Sequence, residues 1–278
     1  MTFKSQDKIL KPKILIVVPT LNSYKILQRL IDSLHNQTYK EWRLIFVDGK
    51  SDINHKKWLI QKCKNDKFLN YMQQDKKSKG IYGAMNDGFK KAYKDEWIFF
   101  WGSDDWAYSN KSFETLSKVI VQETKMKKTP SIIISKVIYI NKKGNKNKRI
   151  SQFNNKERIN NTFSTRRFRK SLFWGSVPPH QGALIGPEAH KSLKCYSDQY
   201  QLASDLDYFL KISQINTLKI KVLDEIIVCL SEGGVSGKEN IKRFKEVIYL
   251  YFKYFNKFWF IPFISRYIKR LISLIKKK

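Results

Sequence analysis

The stretch EWIFFWGSDDW, Glu96 to Trp106, joins a run of apolar and aromatic side chains directly to two aspartates. The run is too short and too rich in β-forming residues for a helix, so it predicts a strand that is buried on both faces. Asp104 and Asp105 follow it side by side, where repulsion and partial burial both oppose their charges. Such a pair indicates a cationic ligand, although a lone aspartate after a strand can also cap a helix or form a turn.

Strands alternate with helices along the first half of the chain. KILIVVP, WRLIFVD and FLNYMQQ are typical of strands, whereas YKILQRLIDSLHNQ, HKKWLIQKC and IYGAMNDGFKKAY have apolar residues at helical spacing. This rhythm predicts an α/β fold with a mostly parallel, doubly wound sheet. Thr20, Asp48 and the Asp104/Asp105 pair lie just past predicted strand ends, which is where open sheets of this kind bind ligands.

The pattern changes after Ser135. KVIYINKKGNKNKRIS is typical of a hairpin, and residues 150–175 are basic with little periodicity, which predicts a mobile flap or a connecting segment. HQGALIG and TLKIKVLDEIIVCLSEGG predict strands around a helix that begins near SDLDYFLKIS. From about Asn240 the chain is helical, basic and aromatic, and Pro262 is expected to divide this part into two helices.

Composition limits the class of protein. The chain has 278 residues, of which 42% are hydrophobic, so it is long enough for a sizeable core. Its three cysteines are scattered, which is typical of a reducing compartment. We expect neither a signal peptide nor a membrane-spanning helix, because every apolar run is too short. The net charge of +30 favours an anionic partner, although a lysine-rich composition alone could produce it.

Several common site motifs are missing from the sequence. The Gly-Lys-Ser within DGKSD lacks the earlier glycine of a phosphate-binding loop, and no GxGxxG follows a predicted strand. The histidines and cysteines do not have zinc-site spacing, and no nucleophile elbow is present. Two adjacent carboxylates at a sheet edge instead suit a hard divalent cation, Mg²⁺ or Mn²⁺, which also binds phosphate oxygens.

Seven short motifs occur in a characteristic order: VVPTLNS, FVDGKSD, GIYGAMNDGF, WGSDDW, HQG, SDLDYFL and GGVS. This arrangement resembles the family 2 glycosyltransferases, inverting enzymes with the GT-A fold that use nucleotide-sugar donors, and in particular those that build bacterial surface polysaccharides. The resemblance covers about residues 12 to 236. It implies a GT-A domain at residues 1–238 and leaves residues 239–278 as a separate basic aromatic tail.

The resemblance also implies roles for individual residues. Asp105 is implied as the direct metal ligand, with Asp104 facing ribose or sugar as well as the metal, and Asp205 as the general base. The positions implied in nucleotide-sugar binding are Pro19, Thr20, Asn22, Asp48, Gly80, Asn86 and Asp104. His180 and Gln181 match a His-Gln that faces the acceptor or the diphosphate, although a lone histidine is often only structural.

Asp205 and Asp207 are two residues apart, so on a helix they diverge by roughly 200°. We therefore expect only one of them to face the cleft. The resemblance has two departures: Gly83 stands where the family has an aspartate, and Ser78 stands where an acid is usual, so Asp75 is displaced or takes no part. These departures could alter the preference for the donor sugar, but they leave the metal and base positions intact.

The tail combines many Lys and Arg with Phe, Tyr and Trp, a composition that favours an interfacial membrane helix. An ordinary packed helix with a solvated basic face is the alternative. The interfacial helix and the resemblance together predict a cytoplasmic protein that is peripheral on the cytoplasmic face of the inner membrane. Its acceptor is expected to be a glycan or a lipid-linked glycan.

Two other functions compete with this interpretation. A membrane- or nucleic-acid-binding protein with a vestigial nucleotide pocket would also be basic, but no recognised motif supports a nucleic-acid partner and we expect none. A nucleotidyltransferase would share the topology, but would normally have a glycine-rich basic loop where this chain has PTLNSYK.

Overall fold

The computed structural model describes residues 10–140, 149–153, 162–231 and 240–275. The strands are β1 Lys13–Thr20, β2 Trp42–Asp48, β3 Leu69–Gln73, β4 Glu96–Phe100, β5 Trp106–Ala107, β6 Ile132–Ile140, β7 Arg149–Ser151, β8 Thr162–Ser164, β9 Ala183–Ile185 and β10 Lys219–Ser231. The helices are α1 Tyr24–His35, α2 Ile53–Lys64, α3 Gly80–Phe89, α4 Ser112–Lys125, α5 Thr165–Phe173, α6 Pro187–Ser192, α7 Ser204–Ile212, α8 Asn240–Phe255 and α9 Phe260–Ile275.

The main path of the sheet has the order β3-β2-β1-β4-β9-β6-β10-β5, with β7 beside β6 and β8 beside β10. Strands β3, β2, β1 and β4 are parallel, as are β6 and β10, whereas β9 runs antiparallel to both of its neighbours. The mixed sheet confirms the predicted α/β class. The short antiparallel β9 sits between the two parallel groups because the chain returns from the His180 turn in the opposite direction.

The first five residues of the quoted stretch form β4, and all five are buried, as predicted. Successive side chains of a strand point to opposite faces. Accordingly, Ile98 and Phe100 pack on the face covered by α3, α5 and α7, whereas Trp97 and Phe99 pack with α1 and α4. Helices on both faces explain why this strand is an unbroken apolar run.

The prediction of a mobile flap or a connecting segment at residues 150–175 does not hold for most of its described part, which forms a helix and two paired strands. Thr165–Phe173 forms α5, whose Phe168 and Leu172 are fully buried, while β7 and β8 pair with β6 and β10. Most residues around Phe168 and Leu172 in α5 are polar or basic. Two apolar residues are too few to show a helical periodicity in the sequence. The predicted hairpin is confirmed by the antiparallel pairing of β6 with β7.

The tail forms two helices, but the break comes before the predicted proline. Helix α8 ends at Phe255, and Asn256 has a positive φ of 49°. Pro262 lies in the first turn of α9, where its missing N–H costs no helical hydrogen bond. Val247, Leu250 and Tyr251 of α8 are buried in the same core as α7. The described part of the tail therefore packs directly behind the helix that carries Asp205.

No helix within the described residues is both long and apolar enough to span a bilayer.

Candidate active site

The carboxyl ends of β1, β2 and β4 meet at one edge of the sheet. Thr20 lies opposite Asp48 in the β1–β2 register. The Trp101 N–H donates to the Val17 carbonyl at 3.1 Å, which brings the turn after β4 beside the end of β1. The sheet thus assembles three polar features that are far apart in sequence.

Asp48 is fully buried, and its Oδ1 is crowded by donors. Thr20 Oγ1 donates to this oxygen at 3.3 Å and Ser51 Oγ at 2.5 Å. His55 Nε2 lies 3.2 Å away but is not aligned for a hydrogen bond. The Tyr24 N–H donates to His55 Nδ1, and burial lowers the pKa of His55, so the imidazole is neutral with its proton on Nε2.

The other carboxylate oxygen of Asp48 has no partner. Oδ2 is buried and no described residue donates to it. A buried carboxylate oxygen without a hydrogen bond is costly, and most such atoms are satisfied in a folded protein. This oxygen is therefore suited to accept an N–H or O–H from a bound ligand.

The loops beside Asp48 are tied together by Asn22 and Asp52. Asn22 has a positive φ of 51°; its N–H donates to Ser51 Oγ, and its Oδ1 accepts from the Asp52 N–H at 2.8 Å. Asp52 Oδ1 in turn accepts from the His55 N–H and caps α2. Both side chains brace this rim, and the half-buried Pro19 lies beside it at the end of β1.

Asp104 and Asp105 converge over Gly102. The Gly102 N–H donates to Asp105 Oδ2 at 2.6 Å, and a Cβ on Gly102 would lie 2.8 Å from Asp104 Oδ1 and 3.1 Å from Asp105 Oδ2. Glycine at this position leaves room for both carboxylates. Burial, together with the Asp104 charge, raises the pKa of Asp105 to about 8, and burial also raises the pKa of Asp104.

This pair fits a divalent cation. Both carboxylates are held close enough to share one ion. A positive charge between them would offset the burial and the mutual repulsion that oppose their ionisation. Within the described ranges no group of three or more His, Cys, Asp and Glu residues forms a complete protein cage. An ion held here would thus complete its shell with ligand oxygens and water, as Mg²⁺ commonly does.

Helix α3 brings Gly80 and Asn86 toward the same edge. Gly80 opens the helix with a positive φ of 63°. The Asn86 side chain is tied to the backbone of Tyr196, because its Oδ1 accepts from the Tyr196 N–H at 2.7 Å and its Nδ2 donates to the Tyr196 carbonyl at 3.0 Å. In this structure Asn86 therefore braces α3 against the segment that carries Tyr196.

The two departures from the family pattern lie together. Ser78 Oγ donates to Asp87 Oδ1 at 2.8 Å, and the Asp75 N–H donates to Asp87 Oδ2. A Cβ on Gly83 would lie 3.0 Å from both Gln74 Nε2 and the Ser78 carbonyl carbon. The loop before α3 thus occupies the space that a side chain at position 83 would need.

The two aspartates of α7 point to different partners. Asp205 is half-buried, and its Oδ1 accepts from Tyr82 Oη at 3.2 Å and from the Leu206 N–H. No described residue hydrogen-bonds to its Oδ2. Asp207 is fully buried, bonded to Tyr254 Oη at 2.8 Å and paired with Lys211 at 2.7 Å. The divergence predicted from helical geometry is confirmed.

His180 and Gln181 lie between β4 and Asp205. The His180 ring stacks on Phe100, the last residue of β4, and its Nε2 lies 2.8 Å from Tyr196 Oη. Burial lowers the pKa of His180, although Asp205 acts in the opposite direction. The Gln181 carbonyl accepts from Trp101 Nε1 at 3.1 Å, which joins this turn to the start of the loop that carries Asp104 and Asp105.

Sequence reasoning missed the residues that surround Asp205. Tyr82 lies within the GIYGAMNDGF motif, so the motif could have indicated it, whereas Tyr196 and Tyr251 carry no such signal. Gly233, Gly234 and Ser236, which belong to the motif GGVS, lie outside the described residues.

Comparison with known proteins gives a consistent result. The family model described as "Glycosyl transferase family 2" matches residues 15–193. The chain is 30% identical over 94 residues to the GalNAc(5)-diNAcBac-PP-undecaprenol beta-1,3-glucosyltransferase of Campylobacter jejuni. The aligned region covers 34% of this chain and 30% of that protein. It is 34% identical over 95 residues to the poly(ribitol-phosphate) beta-N-acetylglucosaminyltransferase TarP of Staphylococcus aureus, 34% of this chain and 28% of that protein. The matches thus span about a third of these relatives' lengths.

Solved structures show the same fold. Residues 1–349 of S. aureus TarS in complex with UDP-GlcNAc superpose with a TM-score of 0.64 at 19% identity, covering 86% of this chain and 65% of that one. The mannosyltransferase PcManGT of Pyrobaculum calidifontis, in complex with GDP-Man and Mn²⁺, gives 0.60 at 14% identity, covering 93% and 70%. The fold is GT-A, and the family match extends over most of the chain: the protein belongs to glycosyltransferase family 2.

Proposed function

We propose that this glycosyltransferase moves a sugar from a nucleotide-diphosphate donor, UDP-linked, to a hydroxyl of a growing cell-surface glycan, with inversion. The observation that carries the proposal is that β4 leads to two carboxylate sites. Asp104 and Asp105 follow β4, while Asp205 is reached from β4 through Phe100, His180 and Tyr196.

The donor's nucleotide is assigned to the ends of β1 and β2. The unpartnered Oδ2 of Asp48 suits the N–H of a uracil ring or a ribose hydroxyl. Thr20 and Ser51 orient that carboxylate through its other oxygen. The remaining donor-binding positions proposed are Pro19, Thr20, Asn22, Gly80, Asn86 and Asp104. The complex of TarS with UDP-GlcNAc, which shares this fold, supports a nucleotide-sugar donor.

Asp105 and Asp104 are proposed to hold Mn²⁺ or Mg²⁺ beside the donor diphosphate. When bound, the ion supplies positive charge to the diphosphate as it leaves. The chain's own part is to keep two carboxylates close together over Gly102. The Mn²⁺ complex of the structurally similar mannosyltransferase supports this assignment.

Asp205 is proposed as the general base. Its Oδ1 is held by Tyr82 and the Leu206 N–H, which leaves Oδ2 to take the proton of the acceptor hydroxyl. A single displacement places this base on the opposite side of the sugar from the leaving diphosphate, and so inverts the anomeric centre. His180 and Gln181 are proposed to face the acceptor or the diphosphate.

The acceptor is proposed to be a glycan or a lipid-linked glycan, and the transferred group a hexose or an N-acetylhexosamine. The printed names of the C. jejuni and S. aureus relatives, with an undecaprenol-linked and a poly(ribitol-phosphate) acceptor, support this class.

The tail, residues 239–278, is proposed to associate with an anionic membrane surface. Helix α9 exposes an apolar stripe formed by Phe260, Ile264, Ile268, Leu271 and Ile272. Apart from Glu239 and Glu246 the tail's charged residues are all Lys or Arg, so its charge complements anionic lipid. An exposed apolar stripe on a basic helix is the pattern of an interfacial helix. We accordingly place the enzyme in the cytoplasm, on the cytoplasmic face of the inner membrane.

The proposal is tested by screening UDP-sugars with Mn²⁺ and measuring released UDP, with and without lipid-linked acceptor extracts. We expect Asp105→Ala and Asp205→Asn to lower turnover at least about 100-fold, whereas wild-type protein binds UDP only when the metal is present. Full activity in both variants contradicts the assigned roles. Tight, salt-sensitive binding of RNA without any UDP binding would favour a nucleic-acid-binding protein instead.

A further inference from the structure

Gln74 lies where the chain leaves β3, beside the proposed nucleotide site. Its backbone N–H donates to the Asp48 carbonyl at 2.7 Å, which joins it to the end of β2. A Cβ on Gly49 would lie 3.4 Å from Leu21 Cδ1 and 3.6 Å from Gln74 Oε1. The side chains of Leu21 and Gln74 therefore flank the space that Gly49, which has no side chain, leaves open.

The carboxamide of Gln74 has a fixed orientation. Its Nε2 donates to the Ser78 carbonyl at 3.2 Å and to the Gly80 carbonyl at 3.0 Å. Only the nitrogen of a carboxamide can donate to a carbonyl, so these two contacts determine which end of the group is the oxygen. Oε1 is thus left as an acceptor on the side of Gly49, and within the described ranges no residue donates to it.

The two departures from the family pattern hold this carboxamide in place. Gly83 packs against it, because a Cβ at position 83 would lie 3.0 Å from Gln74 Nε2. Any side chain there would push the carboxamide or the loop away. Ser78 supplies one of the two carbonyls that accept from Gln74, and its hydroxyl ties the loop to the buried Asp87. The orientation of Gln74 therefore depends on positions at which this chain differs from the family pattern.

Two acceptors without a protein donor thus lie at the ends of β2 and β3: the buried Asp48 Oδ2 and Oε1 of the half-buried Gln74. Uracil has a single N–H, whereas ribose carries free hydroxyls, so the base can satisfy only one of these oxygens. We propose that Gln74 is a specificity-determining residue of the donor site, whose Oε1 accepts from a ribose hydroxyl while Asp48 Oδ2 accepts from the uracil N–H. The inference rests on the proposed UDP-linked donor and goes beyond it, because Gln74 lies outside all seven motifs.

Titration calorimetry in the presence of Mn²⁺, with UDP and its 2′-deoxy and 3′-deoxy forms, tests this assignment. We expect the wild-type protein to bind one deoxy form at least about fivefold more weakly than UDP, because the hydrogen bond to Oε1 is lost. Gln74→Met keeps the length of the side chain but removes the acceptor, so it should weaken UDP binding by a similar factor. In this variant the ratio between UDP and that deoxy form should fall below about twofold, which a loss of packing alone would not produce.

Gln73→Met is the matched control, since it removes a carboxamide from the exposed neighbouring position and should leave every affinity unchanged. Gly83→Ala should act like Gln74→Met, because the added Cβ displaces the carboxamide, and it decides alone if Gln74→Met fails to fold.

Two results overturn the inference while the wild-type protein still binds UDP. One is equal binding of UDP and both deoxy forms by the wild type. The other is a wild-type ratio between UDP and the deoxy forms in the Gln74→Met protein. Absence of any UDP binding by the wild type would instead refute the proposed donor, and this inference with it.

Discussion

At the scale of single residues, Asp105 shows how a site suited to a cation strains the protein when the cation is absent. Its side chain is 4% exposed and lies against a second carboxylate, and burial and Asp104 raise its pKa to about 8. A carboxyl group whose pKa is raised by folding stabilises the folded protein only while it is protonated. Its contribution is fully present below the ordinary carboxyl pKa of about 4 and is lost progressively as the pH rises toward 8.

We therefore predict that Asp105→Asn raises the Tm of the metal-free protein, and that the gain grows between pH 5 and pH 8 to at least about 3 °C. The amide keeps an oxygen that can accept from the Gly102 N–H but never ionises. The measurement is thermal unfolding at several pH values in a chelator. The same variant should no longer bind UDP with Mn²⁺. Parallel pH profiles of Tm in both proteins would show that Asp105 is not strained in this way.

At the scale of elements, α7 separates the proposed base, Asp205, from Asp207, which is buried and paired. Asp205 meets α3 through Tyr82, whereas Asp207 meets α8 through Tyr254 and also pairs with Lys211. The loop before α7 is held by α8 as well, because Glu246 accepts from the Gln201 and Leu202 N–H groups at 3.0 and 2.9 Å. Helix α7 is therefore held on one side by the tail, while Asp205 contacts α3 on another side.

This arrangement predicts that two similar substitutions change the free energy of unfolding by different amounts. Asp207→Asn loses the ion pair with Lys211 inside the protein, so we expect the free energy of unfolding to fall by about 2 kcal/mol, with UDP binding retained. Asp205→Asn should change that free energy by less than about 0.5 kcal/mol, because the residue is half-buried and its Oδ2 is unpartnered. Urea denaturation followed by fluorescence measures both; a larger loss in Asp205→Asn would reverse the assignment of the two residues.

At the scale of the whole molecule, α9 has one face that packs on the protein and one face that is exposed. Arg266 and Tyr267 lie on the inner face, where Tyr267 packs against Phe244 and Phe263. The opposite face exposes the apolar stripe described above, and its members remain 46–59% exposed. A protein that binds a lipid surface through this stripe would keep the inner face of the same helix packed against α8.

We predict that the wild-type protein floats with phosphatidylglycerol vesicles, less with phosphatidylcholine vesicles, and less at high salt. The triple change Ile264→Ser, Ile268→Ser and Leu271→Ser should reduce flotation at least about tenfold, because it removes apolar area from the stripe. The matched control is Ile53→Ser with Ile60→Ser, two isoleucines exposed on α2, which should float like the wild type. Equal flotation of the stripe variant and the wild type would rule out this face as the membrane contact.

The sequence by itself determined the alternation of strands and helices, the burial of β4 and the edge of the sheet at which Asp48, Asp104 and Asp105 meet. These features follow from local periodicity and from one general property of parallel strands, whose carboxyl ends share an edge. The ordered motifs further identified the family.

Only the tertiary structure decided what surrounds Asp205. The contact between Tyr82 and Asp205 joins residues 123 positions apart, and the burial of the Arg266 side chain depends on α5, α8 and α9 packing together. No local pattern records such contacts, because a buried arginine and a solvated one look alike in a basic helix until the neighbouring helices are in place. The same reason hid α5, whose two core residues, Phe168 and Leu172, are buried only when the rest of the core has formed.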